Sequence, residues 1–162
     1  MPTPNPAHLE VVRGLCNRSP YQQLMDIDMT ALETGRCRLE MKVDRKHLNP
    51  FGGLCGGGFA SLLDIAAYWC MYPEIPADMG ATTLDLQMNY LRAVNSGTIA
   101  CEAWVKKPGR NIYICEAEIT DERGRLLANA TSKMFLSPSI QHVSAAVASV
   151  DPTIELPPKF LD

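Results

Sequence analysis

The residues best suited to chemistry lie between Asn49 and Met71, in the sequence NPFGGLCGGGFASLLDIAAYWCM. This segment opens with glycines and continues as a run of helix-compatible, mostly apolar residues. One carboxylate, Asp64, interrupts the apolar run. A buried carboxylate is costly unless it is paired or hydrogen-bonded, so a chain that places one in a core helix is expected to use it. The alternative is an acid that a core hydroxyl group satisfies.

Three glycines, Gly56, Gly57 and Gly58, fall at the predicted start of this helix. Backbone N–H groups there have no intrahelical partner and lie at the positive end of the helix dipole. Because glycine lets a ligand approach the backbone closely, the segment predicts a site for an oxyanion or a phosphate. Asp64 follows about two turns later, which predicts that one carbonyl at the helix tip reaches both groups. The structural alternative is a tight turn without a ligand.

The composition of the 162-residue chain is that of one ordinary globular domain. Hydrophobic residues make up 46%, charged residues 20%, and the net charge of −3 gives no overall field that favours nucleic acid. The six cysteines are scattered and the three histidines lie far apart, so we expect reduced thiols and no metal site. The opening sequence MPTPNP lacks a signal pattern, and we expect a cytoplasmic protein that does not associate with membranes.

The first part of the chain predicts a helix and a hairpin. Asn5 and Pro6 are typical of a helix N-cap and first helical position, which predicts a short amphipathic helix over about residues 6–17. Two alternating strands follow, over about 25–29 and 36–43. The residues Glu33, Thr34 and Gly35 between them predict a turn.

The second part of the chain predicts strands only. Pro73 and Pro76 end the central helix, and the alternating segments that follow are 83–90, 99–106, 112–120 and 126–136. The strict alternation of the first of these predicts Leu84, Leu86, Met88 and Tyr90 on one face and Thr83 on the other. The tail over 138–162 has no pattern that assigns it.

This order of elements predicts an α+β fold in which the four late strands form an antiparallel meander. The central helix is apolar on almost every side and must be covered all round. Because a single curved sheet covers only part of it, we expect a second copy of the chain to cover the rest, as a dimer at least.

The glycine-loop motif and this layout together resemble the hotdog fold, and in particular the PaaI-like acyl-CoA thioesterases of the 4-hydroxybenzoyl-CoA thioesterase superfamily. That branch carries the motif N-x-x-G-x-x-H-G-G, followed by an acid one helical stretch later. Asp64 occupies the position of the acid, and Cys55 stands where the branch has histidine. The matching motif positions are Asn49, Gly52, Gly56 and Gly57. The resemblance covers about residues 20–137 of a single 1–162 domain and leaves both termini outside it.

The resemblance implies hydrolysis of an acyl-CoA thioester without a metal or bound cofactor. The Gly56 N–H would stabilise the oxyanion, and Asp64 would act as general base or nucleophile. Asn49 and Thr83 would position the carbonyl group or the attacking water. In the family the acid and the oxyanion donor come from different subunits. This implies either a homodimer or a homotetramer built as a dimer of dimers.

Further candidates for substrate binding are Cys55, Gly57, Lys107 and Arg110. The two basic residues lie at a predicted turn beside Lys106 and could hold CoA phosphates, although basic turn residues are commonly just solvated. Asn49 before a proline is equally typical of a plain turn, and Thr83 of a plain strand.

Cys55 is a tempting nucleophile, because a helix N-terminus lowers the pKa of a thiol. No histidine is adjacent in sequence to serve as its base, and the acid of the motif is retained. We therefore predict that Cys55 fills the place of the histidine without attacking the substrate.

Two other functions are compatible with this sequence. A hotdog enoyl-thioester hydratase or dehydratase pairs a catalytic histidine with an acid, and the glycine loop contains no histidine. A non-catalytic acyl-CoA binder or sensor is compatible with Cys55 in the histidine position, although no DNA-binding segment is visible. The identity of the acyl group stays open.

Overall fold

The computed structural model describes residues 2–161, so Met1 and Asp162 of the predicted 1–162 domain lie outside the described residues. The α-helices in this part of the chain are α1 (Pro6–Asn17), α2 (Pro20–Leu24), α3 (Gly56–Met71) and α4 (Val143–Val150). The strands are β1 (Thr3–Pro4), β2 (Ile27–Glu33), β3 (Arg36–Val43), β4 (Gly80–Tyr90), β5 (Gly97–Lys107), β6 (Ile112–Asp121), β7 (Leu126–Ser137) and β8 (Phe160–Leu161). Short 3-10 turns lie at Arg45–His47 and Tyr72–Glu74.

Six strands form one antiparallel sheet in the order β2-β3-β5-β6-β7-β4, and α3 packs on one of its faces. The α3 residues buried in this interface are Gly58, Phe59, Leu62, Leu63, Ala66, Ala67, Cys70 and Met71. Burying a large apolar side chain contributes roughly 1.5–3 kcal/mol, so this layer supplies much of the folding free energy. The arrangement confirms the predicted α+β class, with a central helix held by one antiparallel sheet.

The predicted meander of four strands is wrong at its first strand. β4 pairs with β7, so only β5, β6 and β7 form a meander. The side of β5 that β4 would need is occupied by β3. β4 therefore lies at the edge of the sheet, and its 11 residues have a neighbour on one side only within residues 2–161.

A β-bulge in β4 overturns the alternation that the sequence predicts for this strand. The register with β7 shifts between Thr83 and Asp85. Leu84 is therefore 53% exposed, although Leu86 packs against the core as expected. An extra residue in a strand re-aims the side chains on either side of it, and here it directs Thr83 toward α3.

The N-terminal helix and the first hairpin agree with the sequence. Asn5 caps α1 by accepting a hydrogen bond from the Ala7 N–H over 3.0 Å, and Pro6 is the first helical residue. Gly35 has a φ of 68°, the left-handed conformation that the turn between β2 and β3 requires.

The face of α3 turned away from the sheet is covered in part by the chain itself. Ile65, Tyr68 and Trp69 are half-buried there, facing α1 and the previously unassigned tail, which forms α4. The Tyr21 hydroxyl of α2 lies 2.6 Å from Ser61 Oγ. The terminal segments therefore cover part of the surface that was expected to need a second copy, and the dimer itself stays a prediction.

The two termini meet at the end of α3 in a buried polar cluster of His8, Tyr72 and Lys159, which we call the terminal clasp. His8 Nδ1 lies 2.7 Å from the Pro157 carbonyl oxygen and Nε2 lies 2.6 Å from the Tyr72 hydroxyl. Because a carbonyl only accepts, His8 carries its proton on Nδ1 and accepts from Tyr72. Lys159 Nζ donates to the Ile75 carbonyl over 2.7 Å and lies 3.9 Å from the centre of the Tyr72 ring. β1 and β8 pair beside the clasp.

Candidate active site

Asp64 and Thr83 meet where α3 faces β4. The Thr83 hydroxyl lies 3.0 Å from Asp64 Oδ1 and 3.4 Å from Met134 Sδ, and the carboxylate is the stronger acceptor of its proton. A hydroxyl that donates to Asp64 keeps its own lone pairs free to accept from a water or a substrate group. The sequence places Asp64 inside the core, whereas the structure leaves it half-buried, because its side chain borders a cavity.

The cavity beside Asp64 has a volume of about 770 Å³ and is mostly apolar. Apart from Asp64 and Thr83, its wall consists of residues of α1, α2, α3 and the segment around α4. The apolar residues of this wall include Val12, Leu15, Ile65, Tyr68, Trp69, Val143, Ala146, Val147, Val150 and Ile154. The wall also includes Cys16, whose thiol pKa is raised to about 12 by burial, so it does not ionise near neutral pH.

The tip of α3 has the geometry of an anion-binding site. Cys55 is the N-cap residue, with an extended backbone and no side-chain capping bond, and its side chain is exposed. The N–H groups of Gly56 and Gly57 find no acceptor within residues 2–161. Tyr90 lies beside this tip, with its hydroxyl 3.5 Å from the Gly56 carbonyl oxygen. Two free, parallel N–H groups at a helix N-terminus suit a developing oxyanion.

The loop before this tip is held by Asn49 and by backbone bonds. Asn49 Oδ1 accepts from the N–H groups of Phe51 (2.9 Å) and Gly53 (3.3 Å), the pattern of an Asx turn. The Cys55 N–H donates to the His47 carbonyl over 2.8 Å. The structure therefore gives Asn49 a loop-forming contact, and its predicted contact with substrate or water stays a prediction.

The structure brings Asp64 and Thr83 together but keeps Gly56 apart from them. Eight residues separate Gly56 from Asp64 on one helix, which at 1.5 Å per residue is about 12 Å along the axis. The expectation that both groups of one helix serve one carbonyl is therefore wrong. Lys107 and Arg110 are exposed at the β5–β6 connection and do not line the Asp64 cavity.

Sequence reasoning missed two polar residues near these sites. Tyr90, expected on the core face of β4, lies at the tip of α3 and is 58% exposed. Gln22 of α2 lines the cavity, and its amide nitrogen is buried without a hydrogen-bond partner among residues 2–161. The position of Tyr90 at the end of a predicted strand was a weak indication that it lies near a site. The sequence around Gln22 gave no such indication.

Residues 2–161 contain neither a metal-binding cluster nor a membrane-spanning helix. No cluster of three or more His, Cys, Asp or Glu side chains there is arranged to hold a metal ion. In the same range, no helix is long and apolar enough to cross a membrane. The six cysteines are all free thiols, and five of them are buried.

The six-stranded sheet on its central helix, with the Asp64–Thr83 pair beside an apolar cavity, defines an α+β fold with a candidate catalytic site. Comparison with known proteins matches residues 51–128 to the thioesterase superfamily. The chain is 35% identical over 104 residues to the proofreading thioesterase EntH of Klebsiella pneumoniae, covering 62% of this chain and 74% of that protein. It is 26% identical over 125 residues to acyl-coenzyme A thioesterase 13 of Homo sapiens, covering 74% and 86%.

A solved structure shares most of the fold. The thioesterase HI1161 from Haemophilus influenzae has a TM-score of 0.72 and 25% identity, covering 88% of this chain and 99% of that one. The chain therefore belongs to the thioesterase superfamily, with the hotdog fold, and its enzyme class is thioester hydrolase. This confirms the family and the fold expected from the glycine-loop motif.

Proposed function

We propose that this protein hydrolyses an acyl-CoA thioester to a free acid and CoA. The observation that carries the proposal is the hydrogen bond between Thr83 and Asp64 on the wall of an apolar cavity. A thioesterase needs an acid or nucleophile beside a space for the acyl group, and this pair is the one that borders such a space. The relative named acyl-coenzyme A thioesterase 13 supports CoA as the thiol part of the substrate.

Asp64 acts on water as general base, or attacks the carbonyl carbon as nucleophile. In the first route Thr83 holds Oδ1, and the second carboxylate oxygen takes a proton from a water whose oxygen adds to the carbonyl carbon. The tetrahedral intermediate then collapses, the C–S bond breaks, and CoA leaves as a thiolate that takes up the proton. Backbone N–H groups at the tip of an α3 helix stabilise the oxyanion between these steps.

The oxyanion donor comes from a second copy of the chain in this proposal. The separation of about 12 Å between Gly56 and Asp64 along one helix supports it. The edge strand β4 can bring the second copy into place, because its unpaired side can form hydrogen bonds with another strand. Thr83 near one end of β4 lies at Asp64, and Tyr90 at the other end lies at Gly56. Antiparallel pairing of two β4 strands sets Thr83 opposite Tyr90 of the partner subunit, which completes two equal sites.

The CoA portion lies outside the cavity, and Lys107 and Arg110 remain the candidates for its phosphates. Lys106 is paired with Glu116, whereas within residues 2–161 neither Lys107 nor Arg110 takes part in an ion pair. The reaction as written needs no metal and no cofactor. Six free thiols suit a reducing compartment, which supports the cytoplasm as the location.

The hydratase or dehydratase alternative needs a histidine close to the acid. Each histidine has another partner. His8 belongs to the terminal clasp. His47 accepts a hydrogen bond from the Asp44 N–H, and His142 caps α4. None of the three lines the cavity of Asp64. This distribution favours hydrolysis.

The test is release of free thiol from a panel of acyl-CoAs, followed with a thiol reagent. We expect saturable turnover for at least one aliphatic acyl-CoA, with the acid as the second product by mass spectrometry. Tight binding of acyl-CoAs without thiol release would replace the proposal with the non-catalytic binder. Formation of a 3-hydroxyacyl-CoA from an enoyl-CoA would replace it with the hydratase.

A further inference from the structure

Helix α4 consists mostly of valine and alanine and yet contains no buried residue. Its sequence, Val143–Val150, is VSAAVASV, and it starts with His142 accepting from the Ala145 N–H over 3.3 Å. A helix of this composition normally packs its apolar side against a core. Here Val143, Ala146, Val147 and Val150 face the cavity, so α4 borders an open space beside α3.

The opposite walls of the same space come from the central and N-terminal helices. Tyr68 and Trp69 of α3 meet edge to face, with ring centres 5.1 Å apart, and Val12 and Leu15 of α1 lie beside them. The polar part of the lining includes Asp64 and Thr83, the pair to which the proposed function assigns the chemistry. A group attached to the reacting carbonyl therefore has an apolar space next to it.

The tail that carries α4 is fixed at both ends. Before the helix, the Ile140 carbonyl oxygen comes so close to Gly80 that a β-carbon there would lie 2.3 Å from it, and only glycine allows this contact at the start of β4. After the helix, Lys159 is held in the terminal clasp. A segment that is fixed on both sides makes a defined wall rather than a loose cover.

We propose that this cavity receives the acyl chain of the substrate, that the chain is a long, linear aliphatic one, and that α4 is the wall that sets its length. The inference rests on the proposed function for the placement of the thioester carbonyl at Asp64. The family match covers residues 51–128, so α4 lies outside the matched segment.

The size and the apolar wall of this open cavity favour a long aliphatic group over an aryl group. A closed cavity of about 150 Å³ is sufficient for a benzene ring. The space beside Asp64 has about 770 Å³, in the upper part of the range of roughly 300–1,000 Å³ for small-molecule sites. An aryl group would leave most of the apolar wall in contact with water, whereas a long alkyl chain covers Tyr68, Trp69 and the inner face of α4.

The experiment compares two tryptophan substitutions on the same helix. Ala146 is half-buried and lines the cavity, whereas Ala148 is exposed and does not. For the unmodified protein we expect kcat/KM to rise from butanoyl- to dodecanoyl-CoA, by up to about fourfold per added methylene. Ala146→Trp should lower kcat/KM for dodecanoyl-CoA at least tenfold and leave butanoyl-CoA within about twofold, the equivalent of about two methylenes that no longer fit. Ala148→Trp should change neither value.

Equal kcat/KM values of Ala146→Trp and Ala148→Trp on dodecanoyl-CoA would overturn the inference, and so would a preference of the unmodified protein for benzoyl-CoA. Thermal unfolding checks that the variants fold, and Val147→Phe, on the same inner face, repeats the test if Ala146→Trp is unstable. Titration calorimetry with a dodecyl-CoA thioether, which cannot be hydrolysed, separates the two proposals. If Ala146→Trp weakens binding of the thioether and Ala148→Trp does not, while neither the wild type nor any variant hydrolyses an acyl-CoA, the acyl pocket is supported and the hydrolase is refuted.

Discussion

The proposed chemistry depends on Asp64, and the surroundings of this side chain allow a substitution that leaves the fold intact. Asn in its place still accepts the Thr83 hydrogen bond at 3.0 Å but is neither base nor nucleophile. We expect Asp64→Asn to lower kcat at least about a hundredfold, the usual loss for a general base. Its unfolding midpoint should stay close to that of the wild type, because the side chain is half-buried and not enclosed in the core.

The matched variant for this prediction is Cys55→Ser. The Cys55 side chain is exposed and makes no capping bond, so serine should keep substantial activity and no acyl-enzyme should appear on Cys55 by mass spectrometry. Loss of activity in Cys55→Ser together with turnover by Asp64→Asn would reverse the two roles.

The Gly56 N–H can be removed without removing the helix. Proline is well tolerated at the first position of a helix and has no N–H, and the extended backbone of Cys55 suits a residue before proline. We expect Gly56→Pro to lower kcat by about 10²–10³, the loss that follows removal of one oxyanion-hole donor. The measurement is thiol release at saturating substrate.

Gly56→Ala is the control, because it adds a side chain at the same place and keeps the N–H. Its β-carbon would lie 3.1 Å from the Tyr90 hydroxyl, an exposed side chain that is free to move. If Gly56→Ala loses as much activity as Gly56→Pro, crowding near Tyr90 and not the N–H explains the loss.

At this scale the sequence indicates candidate site residues but does not predict how they are arranged. Asp64 stands out as the one acid in an apolar run, and the glycines mark the helix tip. Thr83 is different, because a strict alternation turns it away from the face of Leu86. The bulge that re-aims it depends on the pairing of β4 with β7, which no local pattern encodes.

Among the elements, the terminal clasp connects three distant parts of the chain and contains a lysine that responds to pH. Burial lowers the pKa of Lys159 from 10.5 to about 7, and burial also lowers the pKa of His8. Between pH 7 and 10.5 the unfolded chain binds the lysine proton and the folded chain releases it, so the free energy of unfolding rises with pH in this window. The contribution is complete above 10.5 and lost as the pH falls through 7.

The measurement is the free energy of unfolding by urea from pH 7 to 10, for the wild type and for Lys159→Met. Methionine fills the same space beside Tyr72 without a charge, so the variant should lose the slope due to this group. We expect a difference between the two curves on the order of 2 kcal/mol across the window, since the Tyr72 ring and the Ile75 carbonyl favour the charged form and reduce the effect. Parallel curves would assign the slope to other groups.

The elements that the sequence predicts well are those that local signals define. Asn5 and Pro6 start α1, Gly35 allows the first turn, and the apolar run gives α3. The order of the strands depends on contacts between distant segments, and the predicted meander failed for this reason. α4 escaped prediction because its eight residues are valine, alanine and serine only, so its apolar face contrasts weakly with its outer face, which carries no charge.

For the whole molecule, the proposed site is incomplete in one chain. Asp64 and Thr83 lie at one place on α3 and β4, and Gly56 with Tyr90 lies at another, about 12 Å away along the helix axis. The free edge of β4 carries exposed Leu84 and Tyr90, and such an edge is normally shielded or paired. In the proposed dimer, pairing of two β4 strands would bury this edge and join the two halves of the site.

If the proposed arrangement is right, two inactive chains should complement each other. A heterodimer of Asp64→Asn with Gly56→Pro contains one site that has both a normal Asp64 and a normal Gly56, and one site that has neither. If each site takes Asp64 from one subunit and Gly56 from the other, the purified heterodimer should have about half the kcat of the wild-type dimer. Both homodimers should be almost inactive. The heterodimer is obtained by co-expression with two different affinity tags, and its assembly is verified by analytical ultracentrifugation. A heterodimer as inactive as its parents would mean that each site is built within one chain, and a monomer at micromolar concentration would remove the shared site altogether.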